Sequence, residues 1–154
     1  MSKWRHLFVD GEFAPRAEIL AGLTLADATR RPSPDSHSVY EELWHANEWQ
    51  KIVVLRDKER YEGWKRGEVY PPAAPASEDE WRALVAEFLS GLDRALEWAA
   101  SPEKLATKTS ADYTMEDVLH SLAVHSSYHL GKIVAIRQAI GAWPPPPAQK
   151  EETA

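Results

Sequence analysis

Clustered prolines constrain this chain more than any other feature. Pro32 and Pro34 stand in Arg30-Arg31-Pro32-Ser33-Pro34-Asp35, and Pro71, Pro72 and Pro75 in Tyr70-Pro71-Pro72-Ala73-Ala74-Pro75. Pro102 is alone, and Pro144 to Pro147 form an unbroken run. Proline has no backbone N–H, clashes with the preceding turn and restricts the residue before it, so helices seldom cross such positions. The intervals between the breaks have helical length, and no alternating strand pattern bounded by hairpin turns occurs in them.

Four segments are therefore expected to be helical. The first, around Phe13 to Ala28, is interrupted at Gly22-Leu23-Thr24, where Thr24 suits a helix cap. The second runs from about Ser38 to Lys65, opened by a capping box of Ser38 and Glu41. The third starts at Ser77, with Glu80 three residues on, and continues through Trp81, Leu84, Val85, Phe88, Leu92 and Leu96 at helical spacing. The fourth starts at Thr114, carries Glu116 and Asp117 in its first turn and runs to Ile140, where Gly141 suits a C-terminal cap. Four such helices describe a single all-α bundle over residues 1–143, followed by a Pro-rich polar tail, 144–154, expected to be extended or disordered at its end.

Composition narrows the function classes. A length of 154 residues is that of one domain, and 44% hydrophobic with 27% charged residues is a globular balance. The net charge of −6, without a basic run, speaks against binding nucleic acid or an anionic membrane. No stretch has the length of an apolar membrane span, and Met1-Ser2-Lys3-Trp4-Arg5-His6 does not open a signal peptide, so a cytoplasmic location is expected. With 0 Cys, disulfides, thiolate metal sites and thiol nucleophiles are excluded, and a metal would have to rest on histidines and carboxylates. The 7 Trp fall mostly on the helical segments and read first as packing residues.

Helical geometry gives the histidines their meaning. At about 100° per residue and with Val118 at zero, Leu122 falls at ~40°, His125 at ~340°, His129 at ~20° and Ile136 near zero. His125 and His129 thus stand one turn apart in the middle of the apolar stripe, whereas His120 points the other way. A histidine on an apolar face is ordinarily a packed core residue. Two together must satisfy four ring nitrogens, and a shared metal ion does this directly. In the second segment His45 lies among Trp49, Ile52 and Val53 on the apolar side. Glu41 and Glu48 flank it, as candidates to orient an imidazole or to act as acid–base catalysts. Tyr128 and Lys132 border the dyad on their own helix. Three neutral imidazoles would leave coordination positions for water or substrate, the pattern of a catalytic site. No Ser–His–Asp arrangement and no Gly-rich phosphate loop is readable.

Three stretches resemble the DinB-like (DinB/YfiT-like) family of helical bundles. Pro34-Asp35-Ser36-His37-Ser38-Val39-Tyr40-Glu41-Glu42-Leu43-Trp44-His45 is similar to the opening of that family's second helix. His125-Ser126-Ser127-Tyr128-His129-Leu130-Gly131-Lys132-Ile133 is similar to its fourth-helix signature. Ala21-Gly22-Leu23-Thr24-Leu25 before Arg31-Pro32 is similar to the close of its first helix. The resemblance covers roughly residues 12 to 143. It implies an up-down-down-up four-helix bundle with a long crossover, often a homodimer, holding a divalent metal such as nickel, zinc or iron on His45, His125 and His129. The family includes S-transferases and isomerases that use low-molecular-weight thiols. Many members carry Gln where Lys132 stands here, and His37 matches a common residue before the second helix, where a turn or cap contact would account for it.

The leading expectation is a metal-dependent hydrolase or thiol S-transferase acting on a small molecule. The alternatives are a non-catalytic metal-binding or dimerising stress-associated bundle, and an interaction module whose histidines are merely packed.

Overall fold

The structure is a computed structural model and describes residues 2–147. The end of the expected tail, 148–154, lies outside the described residues. Among the described residues the fold is all-α, with one isolated β-bridge between Lys108 and Thr114.

The first expected segment, around Phe13 to Ala28, holds two short helices broken at Gly22, as expected, and two further short elements precede it. Helix α1 (Lys3–Arg5) passes into a π-helical turn, His6–Asp10. Helices α2 (Arg16–Leu20) and α3 (Leu25–Thr29) follow, separated by Gly22 at φ 70°. Thr24 caps α3 reciprocally with Asp27, as its position before the apolar residues predicts.

The second expected helix, 38–65, is in fact two. Helix α4 (Val39–Leu55) opens on the Ser38–Glu41 capping box, and α5 (Lys58–Lys65) opens on Asp57, which accepts from the Arg60 N–H at 2.9 Å. Between them Arg56 is left-handed, at φ 55° and ψ 39°. That conformation costs a non-glycine residue about 1–2 kcal/mol and ends the hydrogen-bond ladder of α4. Helix α6 (Glu78–Trp98) begins at Ser77 as expected, although the Glu80 carboxylate accepts from the Ala76 N–H rather than from Ser77. A short α7 (Pro102–Leu105) lies outside the four expected segments. It has Pro102 at its first turn, where the missing N–H is no loss. Helix α8 (Met115–Ala139) carries the Thr114–Asp117 capping box and is followed by Gly141 at φ 76°.

Helix α4 packs against both α6 and α8, and α2 closes the other side by touching α6 and α8. The core between them is built from Leu43, Ala46 and Val53 of α4, Trp81, Phe88 and Leu92 of α6, and Leu119, Leu122 and Ile133 of α8. Two indoles cross from core to loop: Trp81 Nε1 donates to Leu23 O and Trp98 Nε1 to Val54 O. Buried Arg137 donates to the carbonyls of Ile19 and Ala142, which fastens α2 to the turn after α8. The proline run turns back on the α2–α3 turn, where a Cβ on Gly22 would meet Pro146 at 3.1 Å.

At Gly91, α6 lies close against α4. A Cβ there would lie 2.0 Å from Gln50 Nε2, a fully buried amide that donates to Phe88 O. Alanine would improve helix propensity by about 1 kcal/mol, but overpacking costs about 1–3 kcal/mol. Gly91→Ala is therefore expected to lower stability to urea, and more steeply if the Gln50 bond is broken. A gain in the denaturation midpoint would show that Gln50 moves aside freely.

Candidate metal centre

Helix α4 carries His45 in its middle turns, and α8 presents His125 and His129 one turn apart. Because α4 packs along α8, the three imidazoles meet, and one ring nitrogen from each lies within 4.8 Å of the others. The Nε2 atoms of His45 and His125 are 3.2 Å apart. Two ligand bonds of about 2.1 Å to one ion would span such a separation at an angle of about 100°.

Hydrogen bonds set two of the three tautomers. His45 Nδ1 lies 2.7 Å from the carbonyl of Val69, which only accepts, so Nδ1 carries the proton and Nε2 the lone pair. His129 Nδ1 lies 2.6 Å from Oε2 of Glu42, which also only accepts, so this nitrogen carries a proton too. His125 differs: its Nδ1 is buried and has no partner. Burial lowers the His125 imidazole to about 4, with His129 and His45 adding to the effect, and burial lowers His45 as well. Both rings are therefore neutral near pH 7, the form that binds a metal.

Glu42 supports this arrangement and is not among the residues singled out by sequence. It is fully buried, with Oε2 accepting from His129 and Oε1 accepting from His37 Nδ1 at 2.8 Å and from Lys132 Nζ at 2.6 Å. Burial alone would push its carboxyl up, but the bonds from His129, Lys132 and His37 outweigh this and hold it at about 2. The sequence does carry a signal for it. Glu42 precedes His45 by three residues, which places it at ~60° on the same wheel, inside the apolar stripe. Lys132 neutralises this carboxylate, and His37 donates to it rather than serving only as a cap contact.

Neither expected acid–base carboxylate touches an imidazole. Glu41 pairs with Arg31 and accepts from the Ser38 N–H at 2.7 Å, completing the α4 cap. Glu48 is held by Arg60 at 2.8 Å and Lys51 at 2.9 Å. It borders a groove of about 680 Å³, lined also by Trp44, Arg60, Gly63, Tyr70 and Pro72. Tyr70 belongs to both places, since its ring stacks on His45 at 4.7 Å and lies 4.0 Å from His37. Trp64 covers another side of His45 at 4.7 Å, and Tyr128 stands edge-on to His129 at 5.1 Å.

A helical bundle that holds three imidazoles and a buried, fully bonded carboxylate at one point of its core is of the class that builds metal sites between facing helices. The sequence model of the DinB superfamily matches residues 16–133, and the chain belongs to that superfamily. No curated protein and no solved structure matches it.

The shifted groups make stability depend on pH. His125 folds with its pKa lowered, to about 4 against 6.5, so the unfolded chain takes up its proton first. Stability of the metal-free protein is thus present above pH 6.5, falls between pH 6.5 and 4 by up to about 3 kcal/mol for this group, and levels off below. Glu42, also lowered, adds a second loss as pH drops from the usual carboxylate range toward 2. Urea titrations at pH 7, 5.5 and 4 would check this. His125→Gln should flatten the upper limb, and an unchanged slope would show that the ring is not held neutral.

Proposed function

We propose that the chain is a metal-dependent enzyme acting on a small molecule, with His45, His125 and His129 as ligands of one divalent ion, nickel, zinc or iron. The observation that carries this is the donor set. Three imidazoles converge, two are oriented by fixed Nδ1 bonds, and among the described residues no fourth His, Asp or Glu joins the cluster. A structural site is normally closed by a fourth protein ligand, whereas three ligands with an open position suit catalysis. When bound, the ion would act as a Lewis acid or lower the pKa of a bound water or thiol.

The protein's own part is positioning. Glu42 holds His129 in register, with its charge balanced by Lys132. Tyr70 and Trp64 pack the sides of His45 and limit access of water. For the acid–base role we propose Glu48 rather than Glu41. Glu48 borders the groove that shares Tyr70 with the centre, whereas Glu41 is committed to Arg31 and the α4 cap.

A hydrolase or thiol S-transferase reaction rests on the superfamily membership. A transferred thiol would come from a low-molecular-weight cosubstrate, because the chain has 0 Cys. A homodimer is part of the proposal, with Val124 and Tyr128 of α8, exposed at 73% and 64%, as the residues that would meet in it. Among the described residues no helix is long and apolar enough to cross a membrane; a cytoplasmic location is part of the proposal.

Purified protein should contain one divalent metal per chain by mass spectrometry, and His129→Ala should lose it. Full occupancy in that variant would remove His129 from the ligand set. Glu42→Gln should weaken metal binding by about 10–100-fold, since it loosens the bond that orients His129. Glu48→Gln should lower turnover more than metal content, and equal loss of both would make Glu48 a structural support.

A further inference from the structure

We propose that the segment from Asp57 to Tyr70 is a strap that gates the metal centre by holding His45. The proposal rests on the metal-centre reading above and adds what controls it.

The strap is lightly anchored where α5 runs through it. Helix α5 within it buries only Gly63, so little apolar packing holds it down. Arg56, just before it, is left-handed, and Gly67, between α5 and Val69, sits at φ 91° with open space where a Cβ would stand. A groove of about 680 Å³ runs along it, lined by Trp44 and Glu48 of α4 and by Arg60, Gly63 and Tyr70 of the strap.

Few contacts close it, and most of them end on the metal centre. Arg60 of α5 reaches the nearly buried Glu48 of α4, while its Nε is buried with no hydrogen-bond partner. Trp64 packs on Trp49 at 5.3 Å and on His45. The Val69 carbonyl accepts the His45 Nδ1 proton, and Tyr70 stacks on the same ring. The bond that directs the His45 lone pair toward His125 is therefore made by the strap and by nothing in the helices that carry the other ligands. When the strap lifts, His45 loses the acceptor that selects its tautomer, and the ring loses two aromatic covers in the same motion. Linkage requires the converse: an ion on His45 stabilises the closed strap. Asp57, which caps α5, and Arg60, which latches it to α4, act through this geometry as positioning residues.

The test uses the full chain, wild type and two variants, Arg60→Ala and Asp57→Ala, neither of which alters a residue touching an imidazole. Amide exchange across residues 58–70 reads strap opening, nitrogen NMR of the His45 ring reads its tautomer, and zinc titration reads affinity. In the wild type the strap should exchange faster than α4 or α8 and slow down on zinc binding, and the ring should carry its proton on Nδ1. In the variants the strap should exchange faster still, the ring should become a mixture of tautomers, and the zinc Kd should rise about 10–100-fold, the usual cost of losing a partner of a ligand. A strap that opens in either variant with the tautomer and Kd unchanged overturns the proposal, as does unchanged exchange in both variants. If the wild type takes up no zinc, the metal reading falls by itself. The ring spectrum then still decides the strap, which stands if the variants lose the Nδ1 tautomer and is overturned if they keep it.

Discussion

The buried carboxylate of Glu42 is the interaction on which the centre depends. A lone ionised carboxylate in a bundle core would be strongly disfavoured, and this one is tolerated because three donors from two parts of the chain converge on it. His37 comes from the turn before α4, and His129 and Lys132 come from α8. Each donor gains from the same charge. Removing any one would leave a buried group short of a partner, so α4 and α8 are held in a single register along their contact. That register is what brings His45 opposite His125 and His129.

The energetics of this arrangement point away from stability as its purpose. Buried ion pairs commonly contribute little net stabilisation, and an apolar set of similar volume often does as well or better. Here the core carries not only a Glu–Lys pair but also two imidazoles lowered in pKa and a buried ring nitrogen without a partner. A bundle selected for packing alone would fill that space with aliphatic side chains, as Leu122, Leu130 and Ile133 do elsewhere along α8. Polar groups concentrated at one point, with their tautomers directed, are better explained by something they bind.

Much of the site is legible from helical periodicity. His45, His125 and His129 stand at the centres of apolar stripes, and the all-α class follows from the proline breaks and from the caps at Thr24, Ser38, Ser77 and Thr114. Glu42 stands on the same stripe as His45, but its role depends on two residues of α8, which no single helical wheel can pair with it. The carboxylates at the edge of the stripe, Glu41 and Glu48, show the more familiar pattern of acid–base candidates. They turn out to be bound by Arg31 and by Arg60 with Lys51. The break of the second helix at Arg56 has only a weak local signal, the capping aspartate at Asp57. The contribution of Val69 has none, since a backbone carbonyl can come from any residue type and its meeting with His45 spans 24 positions.

The split into α4 and α5 is what gives the centre a side built from outside the bundle. An uninterrupted helix from 38 to 65 would have carried Trp64 far along the axis, away from His45. The left-handed turn at Arg56 folds the chain back so that Trp64, Val69 and Tyr70 reach the ring from outside the bundle. Two ligands are thereby fixed from within, on α8, and the third is completed from a segment with little burial of its own. On the proposed reading, rigid support from the core with one adjustable wall would meet two demands at once: ligands kept within bonding distance of a single ion, and a way for a substrate to reach it.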